Sequence, residues 1–181
     1  MSYSSSILEK LEEENLNSLN VLETKSLRSR YQKNKTVENF IECVWKDEVG
    51  KRIVLHDLHR TWIDFIQRAR ARGVKRVGIL APYKYGKTPN ILGYGLHEIC
   101  QNRNLRCKIV CNDDLNAKKR LLTIRRYIEN DADFKYLYGD VVVPNYRGMW
   151  TTNAIEIQRD SYSTDATLRI VTGKQHPHIN I

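Results

Sequence analysis

The stretch Ile79-Leu80-Ala81-Pro82-Tyr83-Lys84-Tyr85-Gly86-Lys87-Thr88 decides the reading of this chain. An apolar run leads into a loop that closes on Gly-Lys-Thr. Val77, Ile79 and Leu80 predict a buried strand, and beyond Thr88 the residues Ile91, Leu92, Leu96 and Ile99 recur at helical spacing. Strand, loop and helix in that order are the context in which such a loop holds phosphate.

The residue types fit that chemistry. Successive backbone N–H groups of Tyr83 to Thr88 can wrap a phosphate, and the N-terminus of the following helix adds positive dipole charge. Gly86 lets the chain approach an oxygen that a side chain would meet. Lys87 offers a point charge to β and γ phosphates, and Thr88 a hydroxyl to magnesium. Two residues depart from the full G-x-x-x-x-G-K-[ST] pattern. Ala81 stands where the first glycine belongs, and Pro89 suits a helix's first turn but has no N–H to give. An ordinary turn capping a helix is the competing account of Gly-Lys-Thr.

Around this loop the chain runs to 181 residues, enough to bury a core within one domain. Lys and Arg number 30 against 21 Asp and Glu, a net charge of +9. That balance points to a polyanionic partner, nucleic acid first, with a merely soluble basic surface as the alternative. No segment has the pattern of a signal peptide or of a membrane span. The expectation is therefore a cytosolic protein. Cys43, Cys100, Cys107 and Cys111 lack C-x-x-C spacing. With His97 they offer a zinc site on paper, but buried free thiols are the favoured reading.

Residues 1–36 read as a helical and basic extension: Leu8, Leu11, Leu16, Leu19 and Leu22 form a stripe, followed by a basic run from Lys25 to Lys35. Docking on a partner or on the body competes with a solvated arm. Residues 37–181 form the second unit. Val37, Phe40, Ile41, Val44 and Trp45 predict a helix over 37–46, residues 53–55 a brief strand, and Leu58, Trp62, Phe65 and Ile66 one face of a helix over 58–69. The cluster from Arg68 to Arg76 is a candidate DNA contact or a solvated connection. Residues 107–111 predict a second buried strand, followed by Asn112-Asp113-Asp114. The two aspartates fit either a magnesium-holding Walker B or a cap for the helix that runs to about Asn130, and the cap is favoured because it needs only that helix. Ala117, Leu121, Ile124 and Ile128 mark its buried face, with Lys119 and Arg126 pointing outward as candidate DNA contacts. Further strands are expected at 140–143, 152–158 and 166–172, and another begins at 176–181.

With these residues in hand, the sequence resembles the ATPase domain of the large terminase subunit of tailed bacteriophages. The likeness runs from Val37 onward. It rests on His59-Arg60-x-Trp62, the loop APYKYGKT, the strand leading into Asn112-Asp113-Asp114 with Ala117, then Trp150-Thr151, Ile155 to Arg159, and Asp165-Ala166-Thr167 before the strand ending at Gly173.

The resemblance implies an α/β P-loop NTPase sandwich of the RecA type with a largely parallel central sheet, incomplete here, and a motor that couples ATP hydrolysis to movement of double-stranded viral DNA into a procapsid. ATP and Mg2+ are the implied cofactors. The implied partners are a portal protein, a small terminase subunit and further copies in a homo-oligomeric ring, with no membrane, in the host cytoplasm. By resemblance, Ala81, Pro82, Tyr83, Lys84, Tyr85, Gly86, Lys87 and Thr88 bind nucleotide, Thr88 meets the metal, and Lys87 and Lys84 carry the catalytic charge. His59 stands where many members have an adenine-contacting glutamine. Lys84 and Tyr83 stand where many have arginine, so Lys84 brings charge without the bidentate fork. The family's Walker B aspartate, catalytic glutamate and nuclease carboxylates are not recognisable. The chain therefore reads as the nucleotide-binding part of the domain, cut before Walker B, with efficient hydrolysis belonging to the full-length protein. Two alternatives stay open: another P-loop ATPase such as a helicase or kinase using Asp113 or Asp114, and a non-enzymatic nucleic-acid-binding module.

Overall fold

The computed structural model describes residues 3–47, 49–160 and 165–172, with side chains from residue 18 onward. The strand expected at 176–181 lies outside the described residues, as does Gly173. The leucine stripe and the basic run as far as Lys33 form a single helix, α1 (Tyr3–Lys33). Its far end is docked: Tyr31 is 1% exposed, with its ring against Phe40 and Tyr138.

Helix α2 (Val37–Val44) is the centre of the core. Thr36 caps it by accepting the Asn39 N–H at 3.2 Å, and Val37, Phe40, Ile41 and Val44 are all buried. Its one buried carboxylate, Glu42, takes ion pairs from Arg30 and Arg60 and the N–H of Leu55, so the charge is compensated from three sides. Helix α3 (Asp57–Ala71) and helix α4 (Lys87–Gln101) flank it. α4 comes close because residue 93 is glycine; a Cβ there would lie 2.8 Å from Cγ1 of Ile41.

Strand β1 (Cys107–Cys111) leads into helix α5 (Asp114–Asn130), helix α6 (Ala132–Tyr138), strand β2 (Ala154–Ile155) and strand β3 (Leu168–Thr172). β1 pairs parallel with β3, Cys107 opposite Leu168, and β2 pairs antiparallel on β3's other edge, giving the order β1-β3-β2. α5 covers β1 and β3 with Ala117, Leu121, Ile124 and Ile128, the face read from the sequence. The described architecture is α/β, with six helices and a small mixed sheet.

Several expectations are corrected. The segment that was to carry the loop's strand pairs with no described strand, and Val77 and Leu80 are exposed, Leu80 completely. Alternating apolar residues permit a strand, but only a ladder partner makes one, and the described ladders join β1, β3 and β2 alone. Residues 140–143 form a turn after α6, closed by the bond from the Val142 N–H to the Tyr138 carbonyl. Residues 53–55 are not a strand, leaving one bridge between Lys46 and Arg52. The strand expected over 152–158 shrinks to β2 plus single bridges. β1, expected to be buried, is half-buried on one face and exposed on the other, with Val110 exposed. On α3 the buried residues are Ile63 and Ala69 rather than the Leu58 and Phe65 stripe, because α3 meets the body along one narrow seam with α2 and α4. Likewise Ile91 of α4 faces outward.

Candidate nucleotide-binding site

The loop from Ala81 to Gly86 turns tightly into α4. Two positions have left-handed backbone, Lys84 at φ 65° and Gly86 at φ 69°. Gly86 adopts it freely, whereas a lysine there is uncommon. Such reversals turn neighbouring N–H groups toward one side, the geometry of an anion-binding nest. Tyr83 and Lys84 form a tight turn, and among the described residues the backbone N–H groups of Gly86, Lys87 and Thr88 make no backbone hydrogen bond. Gly86 is the N-cap of α4 and has no side chain to satisfy the first turn, so the helix presents bare donors to the loop's concavity.

The Lys87 ammonium folds back into that loop, donating to the carbonyl of Ala81 at 2.6 Å and to that of Pro82. The cation is thus held beside the N–H groups by weak neutral acceptors. Lys84 and Tyr83 stand outside, both exposed, with the Lys84 ammonium 5.7 Å from the Tyr83 ring centre. Tyr85 is exposed as well, and Thr88 is half-buried on the first turn of α4.

His59 reaches the loop from α3. Its Nε2 is 3.2 Å from the Tyr85 carbonyl, its ring packs over Gly86, and its edge meets Trp62. It sits behind the loop as a brace. Asn90, one turn into α4, is 4% exposed and donates to the Gly86 carbonyl at 2.9 Å, while its Oδ1 has no partner among the described residues.

The aspartates after β1 divide their work locally. Asp113 caps α5, accepting the Asn116 N–H at 2.7 Å, and this bond holds its carboxyl below the usual range. Asp114 pairs with Lys118 one turn on at 2.5 Å. Both are accounted for by the helix, as the cap reading had it. Cys43 and Cys100 are free thiols in the core, and burial pushes Cys43 up to about 11. Cys107 and Cys111 are half-buried on β1.

A cavity of about 920 Å³ opens beside the loop, between the 45–53 turn, α4 and α5. Thr88, Pro89 and Leu92 form one wall, Arg120, Thr123, Arg126 and Tyr127 another, and Trp45 stacks on Tyr127 at 4.2 Å between ring centres. Arg120 was not singled out by the sequence. The only signal is that residues 120, 123 and 127 share a helical face, which does not say what that face meets. A second, smaller cleft is lined by Phe65, Arg68, Arg72 and Arg76, the basic cluster ahead of the loop. No helix among the described residues is long and apolar enough to cross a membrane. No protein-family model, curated protein or solved structure matches the chain.

Proposed function

We propose that the chain is the ATP- and magnesium-binding part of a DNA-packaging motor of the large-terminase type. The observation that carries this reading is the loop: left-handed turns at Lys84 and Gly86, free N–H groups at Gly86, Lys87 and Thr88, and the Lys87 ammonium inside, all at the N-terminus of α4. In this reading Lys87 exchanges two loop carbonyls for β and γ phosphate oxygens, and Thr88 turns its hydroxyl to magnesium. Lys84 lies at the rim, where its charge reaches a phosphate from outside.

The DNA half of the proposal draws on charge. Among the described residues, Arg72 and Arg76 in the smaller cleft have no carboxylate partner, whereas Arg68 pairs with Asp64 and Arg70 with Glu98. Unpaired guanidinium groups beside the exposed ring of Phe65 suit a phosphate backbone. Double-stranded viral DNA, a portal protein, a small terminase subunit, a ring of copies and an ATPase activity of the full-length protein all belong to this same proposal. So does a place in the host cytoplasm at the procapsid.

Titration with a fluorescent ATP analogue in magnesium tests it. The chain binds, and Lys87→Ala weakens binding by about 1.5 to 3 kcal/mol, the range for a hydrogen bond to a charged group. Equal affinity of mutant and parent would sink the assignment. The same cleft is the one observation that favours a non-enzymatic nucleic-acid module, and that reading gains if duplex DNA binds while ATP does not.

A further inference from the structure

The phosphate cradle has a weak side. Pro89 contributes no N–H to the first turn of α4, and the loop holds no arginine. The 920 Å³ cavity opens on this side, at Thr88 and Pro89, and Arg120 of α5 lines the same cavity.

Arg120 and Arg126 differ from the other charges there, and of the two Arg120 is half-buried and Arg126 exposed. Lys46 is tied to Asp131 and, at 3.5 Å, to Asp133. Asp131 also caps α6 by accepting the N–H groups of Asp133 and Phe134, and Asp47 accepts those of Val49 and Lys51. The cavity's carboxylates are therefore occupied. Arg120 is half-buried and makes no ion pair or hydrogen bond among the described residues, while Arg125 on the same helix pairs with Glu129 at 3.0 Å. A guanidinium without a carboxylate partner is available to an anion, and a dianionic phosphate group is the acceptor its fork matches.

We propose that Arg120 is a phosphate ligand for the nucleotide on the loop, reaching across the cavity past Thr88 to the side that Pro89 leaves without a donor. It supplies from α5 the bidentate cation that Lys84 does not supply from the loop. The inference rests on the nucleotide reading of the loop, and it places the polyphosphate between α4 and α5.

The experiment measures ATP and AMP affinities, by competition with a fluorescent ATP analogue in magnesium, for the parent chain, Arg120→Ala, Arg120→Lys and Lys87→Ala. The expected result is a loss of roughly tenfold or more in ATP affinity for Arg120→Ala, a smaller loss for Arg120→Lys, and unchanged AMP affinity and melting temperature. ATP binding by Arg120→Ala equal to the parent, with Lys87→Ala impaired, overturns the role of Arg120 and leaves the loop's reading intact. Equal losses for ATP and AMP overturn it too, since a β or γ phosphate contact cannot act on AMP. Parent-like binding by both alanine variants, or none by the parent chain, removes the nucleotide reading and this inference with it.

Discussion

Nε2 of His59 lies 3.2 Å from the carbonyl oxygen of Tyr85, 26 residues further along the chain, while Nδ1 of the same ring lies 3.3 Å from the N–H of His56. In a neutral imidazole one nitrogen accepts and the other donates. His56 makes Nδ1 the acceptor, so Nε2 carries the proton and donates to the loop. This bond ties α3 to the turn that starts α4. The close fit needs glycine at 86, since a Cβ there would lie 3.1 Å from Nε2.

His59→Ala is therefore expected to loosen the loop and weaken nucleotide binding by about one net hydrogen bond, roughly 0.5 to 1.5 kcal/mol. His59→Gln, whose amide N–H reaches in the same direction, is expected to recover part of the loss. Titration of both variants against the parent checks this. A direct stacking role for His59 on the base predicts a different pattern, in which ATP and adenosine lose affinity alike.

Gly93→Ala probes the core that positions α4. The new methyl carbon would stand 2.8 Å from Cγ1 and 3.2 Å from Cδ1 of Ile41, a residue with no exposed surface. Overpacking of this kind costs about 1 to 3 kcal/mol. Urea unfolding followed by circular dichroism reads it, and a compensating Ile41→Val in the same chain is expected to return part of the stability.

Much of this framework was legible because burial and periodicity coincide. α2 and α5 carry clean apolar faces, and β1 and β3 carry β-branched residues between turns. α6 was missed because it spans only 7 residues and starts directly after α5, where Asp131 ends one helix and caps the next. The loop could be read through Gly86, a glycine placed where left-handed backbone is needed. Lys84 shares that conformation with no such sign. The strand at 77–80 was overread: its apolar residues satisfy the pattern, yet strand formation depends on a neighbour far along the chain. Arg120 was invisible for a related reason, since its relation to Thr88 arises from packing of α4 and α5, which β1 and its turns separate along the chain.

His97 makes stability depend on pH. It is 5% exposed on α4, beside the rings of Phe40 and Tyr31 and within 3.4 Å of the Gln101 amide. Burial lowers its pKa, against the opposing pull of Glu98, the Lys35 backbone and Glu38. The unfolded chain therefore binds the proton more readily. His97 contributes its full stability above the ordinary value of about 6.5, and that contribution drains away as pH falls below it toward the folded value. Urea midpoints at stepped pH values are expected to drop on the acid side for the parent and to flatten in His97→Gln. An identical acid slope in both would assign the dependence to other groups.

Asp113 separates the cap from the metal site most directly. Its carboxylate accepts the Asn116 N–H at 2.7 Å, the bond that an N-cap residue makes to the third residue of its helix, and this contact is what lowers its pKa. Asp113→Ala leaves that donor without a side-chain acceptor and is expected to lower the melting temperature, while Asp113→Ser, another good cap, is expected to restore it. Neither change is expected to alter magnesium-dependent ATP affinity, because the carboxylate is committed to α5. The chain is also expected to hold ATP while releasing phosphate barely above background, since Asp113 is engaged in capping α5 and Asp114 pairs with Lys118. Thermal melts, nucleotide titration and a phosphate-release assay on the same three proteins decide between the roles. Robust magnesium-dependent turnover by the parent, lost in Asp113→Ser with the melting temperature intact, would make Asp113 a metal ligand and favour a helicase or kinase over a packaging motor.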